Sequence, residues 1–240
     1  MKRIAAVGLV VALTGCSTVE SKDIRTSGIT ANYVVTLPET GEAAKVSASY
    51  RVGTLTFVEL GDGESVAASG GGKDVTLRHH RSAGVTGYDG RLDGVVAAGT
   101  EITFDLSRGK GDDSAPRSTV KLPERVRLTA PLAGTTYSRR ASIPVRVDTE
   151  PSQLPAVLTW TGECIQTGSL ELEPGRTSVS ISTGSIQPAA RTPTPGAAPA
   201  TTCPADLTLT RRTEGTLDKA FKDCHIIAES RSVRRITSTP

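Results

Sequence analysis

Apolar and polar residues alternate along most of this chain in short runs bounded by glycine, proline and aspartate. In Glu101-Ile102-Thr103-Phe104-Asp105-Leu106 the alternation is strict, so Ile102, Phe104 and Leu106 share one face. That is the pattern of a half-buried antiparallel strand. Comparable runs predict strands near 30–37, 44–51, 54–60, 65–68, 74–79, 101–106 and 118–122. Gly61-Asp62-Gly63, Ser69-Gly70-Gly71-Gly72 and Asp89-Gly90 supply the turns. After Pro123 the pattern restarts, with strands expected near 125–130, 143–147, 156–161, 169–173, 178–182, 206–210 and 225–235. One helical turn is expected over 217–221, capped by Thr216. Residues 187–204 are too rich in proline for a central strand and read as a long loop.

Two groups of about seven short strands resemble tandem immunoglobulin-like β-sandwiches at the level of architecture. The implied fold is all-β, with one antiparallel sandwich over 30–124 and a second over 125–240. A single larger barrel is the alternative. Trp160 falls on the third strand of the second group, where such sandwiches often bury a tryptophan; filling any β core explains it equally well. The cysteine spacing of antibody domains is absent, because no cysteine of the second half precedes Trp160.

Composition fits this reading. Aromatics are 3% of the chain, so the core must be built mostly from Val, Leu, Ile and Ala. The formal charge is +3, of which Lys2 and Arg3 supply two. Such a balance does not suggest nucleic-acid binding. The basic excess lies in the second half, as pairs such as Arg139-Arg140, Arg211-Arg212 and Arg234-Arg235. Solvated surface explains it, and a weakly basic face toward anionic envelope polymers is the sharper alternative.

The N-terminus has a different pattern. Lys2-Arg3 precedes ten apolar residues, 4–13, which is well short of the ~20 that span a bilayer as a helix. The run ends in Leu13-Thr14-Gly15-Cys16. Basic start, apolar stretch and terminal tetrapeptide resemble the signal and lipobox of bacterial lipoprotein precursors. The resemblance covers residues 1–17. It implies removal of 1–15, a diacylglyceryl group on Cys16 and acylation of its new amino group. The expected localisation is the cell envelope, with the chain anchored in a membrane by lipid. Ser17, in the place where aspartate tends to retain such proteins in the inner membrane, resembles the outer-membrane class if the host is Gram-negative. Residues 16–29 are mostly small or polar and read as a flexible lipidated tether.

Cys164, Cys203 and Cys224 remain. An exported chain permits disulfides. Loop entropy does not choose among the pairings. Cys164–Cys203 is the first choice, because both sit at strand ends and would staple the Pro-rich loop. Cys203–Cys224 is the second. The spacings match no zinc pattern.

The search for catalytic residues returns little. No Gly-x-Ser-x-Gly elbow occurs. Ser107-Arg108-Gly109-Lys110 and Ser118-Thr119-Val120-Lys121 match Ser-x-x-Lys but lack a helix and partner motifs. Gly70-Gly71-Gly72-Lys73 lacks the remaining features of a phosphate loop and reads as a hairpin turn. His79 and His80 are adjacent and would point to opposite faces of a strand. Asp112-Asp113 and the pair Asp89 and Asp93 read as solvated turns in glycine-rich loops. Tyr33, Tyr50, Tyr88 and Tyr137 are scattered, with no visible stacking platform.

No metal, cofactor or catalytic residue is expected. The function that remains is a lipid-anchored envelope protein acting as a binding or assembly module, with an envelope protein or glycan as partner. The alternative is an envelope hydrolase or carbohydrate-binding protein. In modules of this kind partners are held by loops or by open strand edges, here the 187–204 loop and the strand from His225.

Overall fold

The computed structural model describes residues 18–54, 56–82, 85–109, 113–189, 202–221 and 223–240; of 223 and 224 it describes only the backbone. Among these residues the regular structure is β, with short 3-10 turns at Ser21–Asp23 and Thr26–Gly28 among the connections. The hydrophobic side chains form two clusters, each between two packed sheets. This is the antiparallel β-sandwich architecture, built twice.

The first sandwich has β2 (Thr30–Pro38), β3 (Ala43–Val52), β4 (Thr56–Glu59), β7 (Arg78–Ser82) and β8 (Val85–Asp93) in one sheet. A four-stranded sheet faces them, ordered β10 (Ala115–Lys121), β9 (Glu101–Ser107), β5 (Ser65–Gly70), β6 (Lys73–Thr76). Strand β2 shows why these residues form strands. Ile29, Ala31, Tyr33, Val35 and Leu37 recur at every second position and are fully buried. Each apolar side chain so buried contributes roughly 1.5–3 kcal/mol. Across the interior lie Ile102, Phe104 and Leu106 of β9, also fully buried.

The second sandwich packs β14 (Ala156–Thr161), β15 (Gly168–Leu172) and β17 (Cys203–Glu214) over β11 (Val126–Ala130), β13 (Ile143–Thr149) and β16 (Ser178–Ile181). Its core holds Leu128, Val145, Leu158, Trp160, Leu207 and Leu209.

The two sandwiches are joined by more than a linker. Strand β18 spans Asp223–Thr239, 17 residues. Its first part pairs in parallel with β2, from Asp223 opposite Thr30 to Arg231 opposite Pro38. On its other edge it pairs with β17 from Ile227 to Ser238. One face of β18 reports the passage. Ile226 and Ala228 belong to the first core, Ser230, Ser232 and Arg234 lie between the cores, and Ile236 belongs to the second. All of 125–240 reads in sequence as the second unit; in the fold, Phe221, Ile226 and Ala228 are first-core residues. The reason is that β2 needs a partner on its open edge, and the C-terminal strand supplies it.

The junction is polar and saturated. The Ser230 and Ser232 hydroxyls accept the backbone amides of Val126 and Leu128 at 3.0 and 2.9 Å. Arg234 donates through both terminal nitrogens to Glu39, at 2.6 Å for the Nη1–Oε2 bond, and also to the Leu128 carbonyl. Arg127 and Ser232 add donors to the same carboxylate at 3.1 and 2.7 Å.

Several elements differ from their sequence expectation. Asp89-Gly90, expected as a turn, lies within strand β8, where Gly87 and Gly90 make room for packing. A Cβ on Gly90 would meet Val46, Val75 and Leu77 at 3.1–3.3 Å, and one on Gly87 would meet the His80 ring at 2.7 Å. Asp89 and Asp93 are therefore strand residues, paired with His80 and Arg91. Over 217–221 a single hydrogen-bonded turn forms, from the Phe221 amide to the Asp218 carbonyl at 3.3 Å, and the Asp218 carboxylate caps it by accepting the Ala220 amide; Thr216 instead exchanges backbone hydrogen bonds with Thr119.

Candidate functional site

Chain that reads as tether is docked from Thr18 onward. Strand β1 (Thr18–Glu20) pairs in parallel with β4, Thr18 opposite Phe57 and Glu20 opposite Glu59. The following residues bend through the two 3-10 turns, and Ser21 and Thr26 are buried. What holds them is a buried ion pair. Arg108 lies just past β9, and its Nε donates to Glu64 at 3.0 Å. Its terminal nitrogens donate to the Ile24 carbonyl at 2.8 Å, the Thr26 hydroxyl at 3.1 Å and the Ser21 carbonyl. The Glu64 carboxylate also accepts from the Ser21 hydroxyl and from the Gly61 amide. Arg108 side-chain exposure is 4% and that of Glu64 is 9%, so the pair is sequestered and its hydrogen-bonding capacity is largely used.

Above this pair is a cleft of about 360 Å³, lined by Glu20, Lys22, Asp62, Glu64 and Arg108 among others. A second cleft of about 280 Å³ adjoins it, lined by Glu59, Leu60, Glu64, Thr76, His79 and Tyr88. Two carboxylates on one cleft are what glycoside hydrolysis requires. Glu64 does not suit the acid's role. Burial alone would raise its carboxyl. The Ser21 hydroxyl, the Gly61 amide and the Arg108 guanidinium outweigh burial and hold it below its ordinary value. A carboxylate kept ionised has no proton to donate. Glu64 is thus the ion-pair partner of Arg108, and the other carboxylates on the clefts are Glu20, Asp62 and Asp113 on the first and Glu59 on the second.

Three of the four tyrosines scattered in sequence, Tyr33, Tyr50 and Tyr88, meet inside the first core, while Tyr137 packs against the second. The Tyr33 and Tyr50 hydroxyls are 3.2 Å apart, Tyr33 stacks on Phe104 at 4.5 Å, and Tyr50 lies 5.9 Å from Tyr88. Tyr33 and Tyr50 are fully buried, so they are core and no stacking platform. Burial pushes the Tyr50 hydroxyl well above its ordinary range, with Tyr33 adding to the shift. Tyr88 reaches the cleft and accepts the Leu60 amide at 2.8 Å. The period-2 pattern of β2 and β3, followed through, places Tyr33 and Tyr50 inward.

Cys16 lies outside the described residues, as do 190–201 of the Pro-rich segment. Cys164 and Cys203 form a disulfide, with Cα atoms 5.8 Å apart. Cys203 is opposite Ser238 near the far end of β18, whereas Cys224 is opposite Ala31 near its start. Fourteen strand residues separate Ser238 from Cys224, a distance of about 46 Å. Of the two Ser-x-x-Lys matches, the first falls partly outside the described residues, at Lys110, and in the second Ser118 is buried and accepts the Asp218 amide at 3.1 Å. Gly71 and Gly72 have positive φ values of 56° and 74°, the backbone of a two-residue hairpin turn between β5 and β6. His79 contacts Glu59 at 3.4 Å and His80 contacts Asp89 at 3.1 Å. Among the described residues no group of three or more His, Cys, Asp or Glu converges as a metal site. Among them, too, no helix is long and apolar enough to cross a membrane.

No family model matches the chain, and no curated protein does. Several solved structures do. The IG1+IG2 domains of DIP-gamma are 7% identical, with 88% of this chain and 94% of that one covered, at a TM-score of 0.24. The fibronectin(III)-like modules of Clostridium thermocellum CbhA are 11% identical, with 88% and 93% covered, at 0.25. SGBP-B of the Bacteroides ovatus mixed-linkage glucan utilization locus, in complex with a mixed-linkage heptasaccharide, is 11% identical, with 99% and 69% covered, at 0.22. At TM-scores this low, strand pairing remains the basis of the fold description.

Proposed function

We propose that this chain is a cell-envelope lipoprotein, anchored through Cys16, that serves as a binding or assembly module. If the host has two membranes, Ser17 directs it to the outer one. The observation that carries this reading is the placement of Thr18. It sits level with Arg51, which is opposite Thr30, and Thr30 is opposite Asp223 at the start of β18. From there β18 runs about 50 Å to Thr239 without interruption. A lipid on Cys16 thus holds one end of a continuous ladder at the bilayer, with the second sandwich at the other end of that ladder. Such a module presents a surface at a set height.

The test is crosslinking in the native cell, followed by mild-detergent purification and mass spectrometry. The expected result is a lipidated N-terminal Cys16 peptide and a reproducible protein crosslink from the second sandwich. An N-terminus at another residue overturns the anchor. Lipidated Cys16 with glycan bound and no protein crosslinked moves the assignment to carbohydrate binding, for which the Tyr88–His79 cleft is the place to look.

A further inference from the structure

We infer that the end of the first sandwich around Thr18 is a docking surface for an anionic phospholipid bilayer, with Arg51 and Arg81 as its cationic contacts; this rests on the lipidation of Cys16 proposed above. The first argument is length. Only Ser17 stands between Cys16 and a residue already held in a sheet. Two residues of chain reach about 7 Å, so the body cannot swing clear of the headgroups. Whatever side chains surround Thr18 are pressed against the membrane.

The second argument is what those side chains are. Arg81 donates to the Thr18 hydroxyl at 2.6 Å, and its side chain is 53% exposed. Arg51 is exposed, opposite Phe57, with its guanidinium 4.7 Å from the centre of that ring. Phe57 is itself opposite Thr18, so both arginines lie within one strand of the attachment point. The β7–β8 hairpin ends at the same level: Tyr88 is opposite Ala48, and Val85 and Arg51 are each three residues further on. Val85 is 42% exposed, an apolar side chain at the tip of a hairpin beside two cations. Arginine flanking an exposed apolar residue suits the phosphate and glycerol layer of a bilayer. Glu59 is the carboxylate near Arg81, at 3.8 Å, and it is shared with His79.

Each arginine at an anionic surface favours the docked orientation by about fivefold, so the two together favour it by about 25-fold. Docking would orient β18 away from the bilayer instead of leaving the body to lie along it.

The experiment is neutron reflectometry of the lipidated full chain on supported bilayers. Mass spectrometry first establishes that Cys16 carries lipid. On phosphatidylcholine containing phosphatidylglycerol, the expected protein layer is about 50 Å or more thick and meets the headgroups without a water gap. On phosphatidylcholine alone, and for R51E/R81E on the anionic bilayer, the layer is expected to be thinner and more disordered. The neutral-bilayer arm needs no variant, so a folding defect in R51E/R81E cannot mimic the result. Unmodified Cys16 removes the anchor itself. Lipidated protein with one layer profile in all three arms overturns the docking surface and leaves the anchor standing.

Discussion

Gly168 lies directly against the indole of Trp160, its partner across β14 and β15, so closely that a Cβ there would sit 2.4 Å from Cε2 and Cζ2 of the ring. No residue but glycine fits beside the tryptophan in this position. Gly168→Ala should therefore displace Trp160 and destabilise the second sandwich by roughly 1–3 kcal/mol, the usual cost of overpacking. Denaturant unfolding followed by the fluorescence of the single tryptophan checks it. An unchanged midpoint and emission spectrum would show that the ring is free to move.

The Arg108–Glu64 pair should behave as a bolt. Arg108→Met leaves a buried carboxylate and two backbone carbonyls without their donor. Breaking one side of such a pair costs about 3–5 kcal/mol. The loss should appear as a lower urea midpoint and as new protease cleavage within residues 21–28. Cleavage confined to other loops would refute the assigned role.

Acid should loosen both the bolt and the junction. Glu39 is held below its ordinary 4.5, first by the Arg234 hydrogen bonds and also by Ser232 and the charge of Arg127. Glu64 is shifted in the same direction. For a carboxyl depressed in the folded state, the unfolded chain binds the proton more readily, so stability rises with pH. The contribution is complete above about 4.5 and disappears as pH falls through the lower folded value. Thermal unfolding between pH 6 and pH 2 should show this decline, and Glu39→Gln should flatten part of it. Equal slopes in both proteins would mean that Glu39 is not linked to folding.

Reduction of Cys164–Cys203 should weaken the second sandwich. The cysteines are 39 residues apart in sequence, and a closed loop of that size contributes about 4 kcal/mol in the chain-entropy model. The Cys164→Ala, Cys203→Ala variant should unfold at a lower denaturant concentration by tryptophan fluorescence. A midpoint equal to that of the oxidised protein would show that the bridge constrains little.

The strands with a clean period of two were legible from sequence, β2 and β9 above all, because their inward residues are uniformly apolar. Strand β8 was hidden because its glycines answer to packing by Val46, Leu77 and His80, which sequence order does not reveal. The docking of residues 18–28 was hidden for a related reason. Its side chains are mostly small or polar, and Ser21 and Thr26 become structural only when Arg108 and Glu64 arrive from distant parts of the chain. The double membership of β18 left a trace that is readable in retrospect. Its inward positions run Ile226, Ala228, then Ser230, Ser232, Arg234, then Ile236, apolar at both ends and polar in the middle. That is the signature of one strand crossing two cores.

The placement of β18 also bears on the order of assembly. The strand that closes both sandwiches lies far downstream of β2, from residue 223 onward. Strand β2 at residue 30 waits for a partner beginning at residue 223, so nearly the whole chain must be present before the first core is sealed. Such long-range closure slows folding and leaves an open strand edge in the meantime. A chain cut short by a few tens of residues would lose both halves at once, with the unpaired edge of β2 exposed to whatever lies nearby. The closure of both sandwiches is thus coupled in this protein by a single strand.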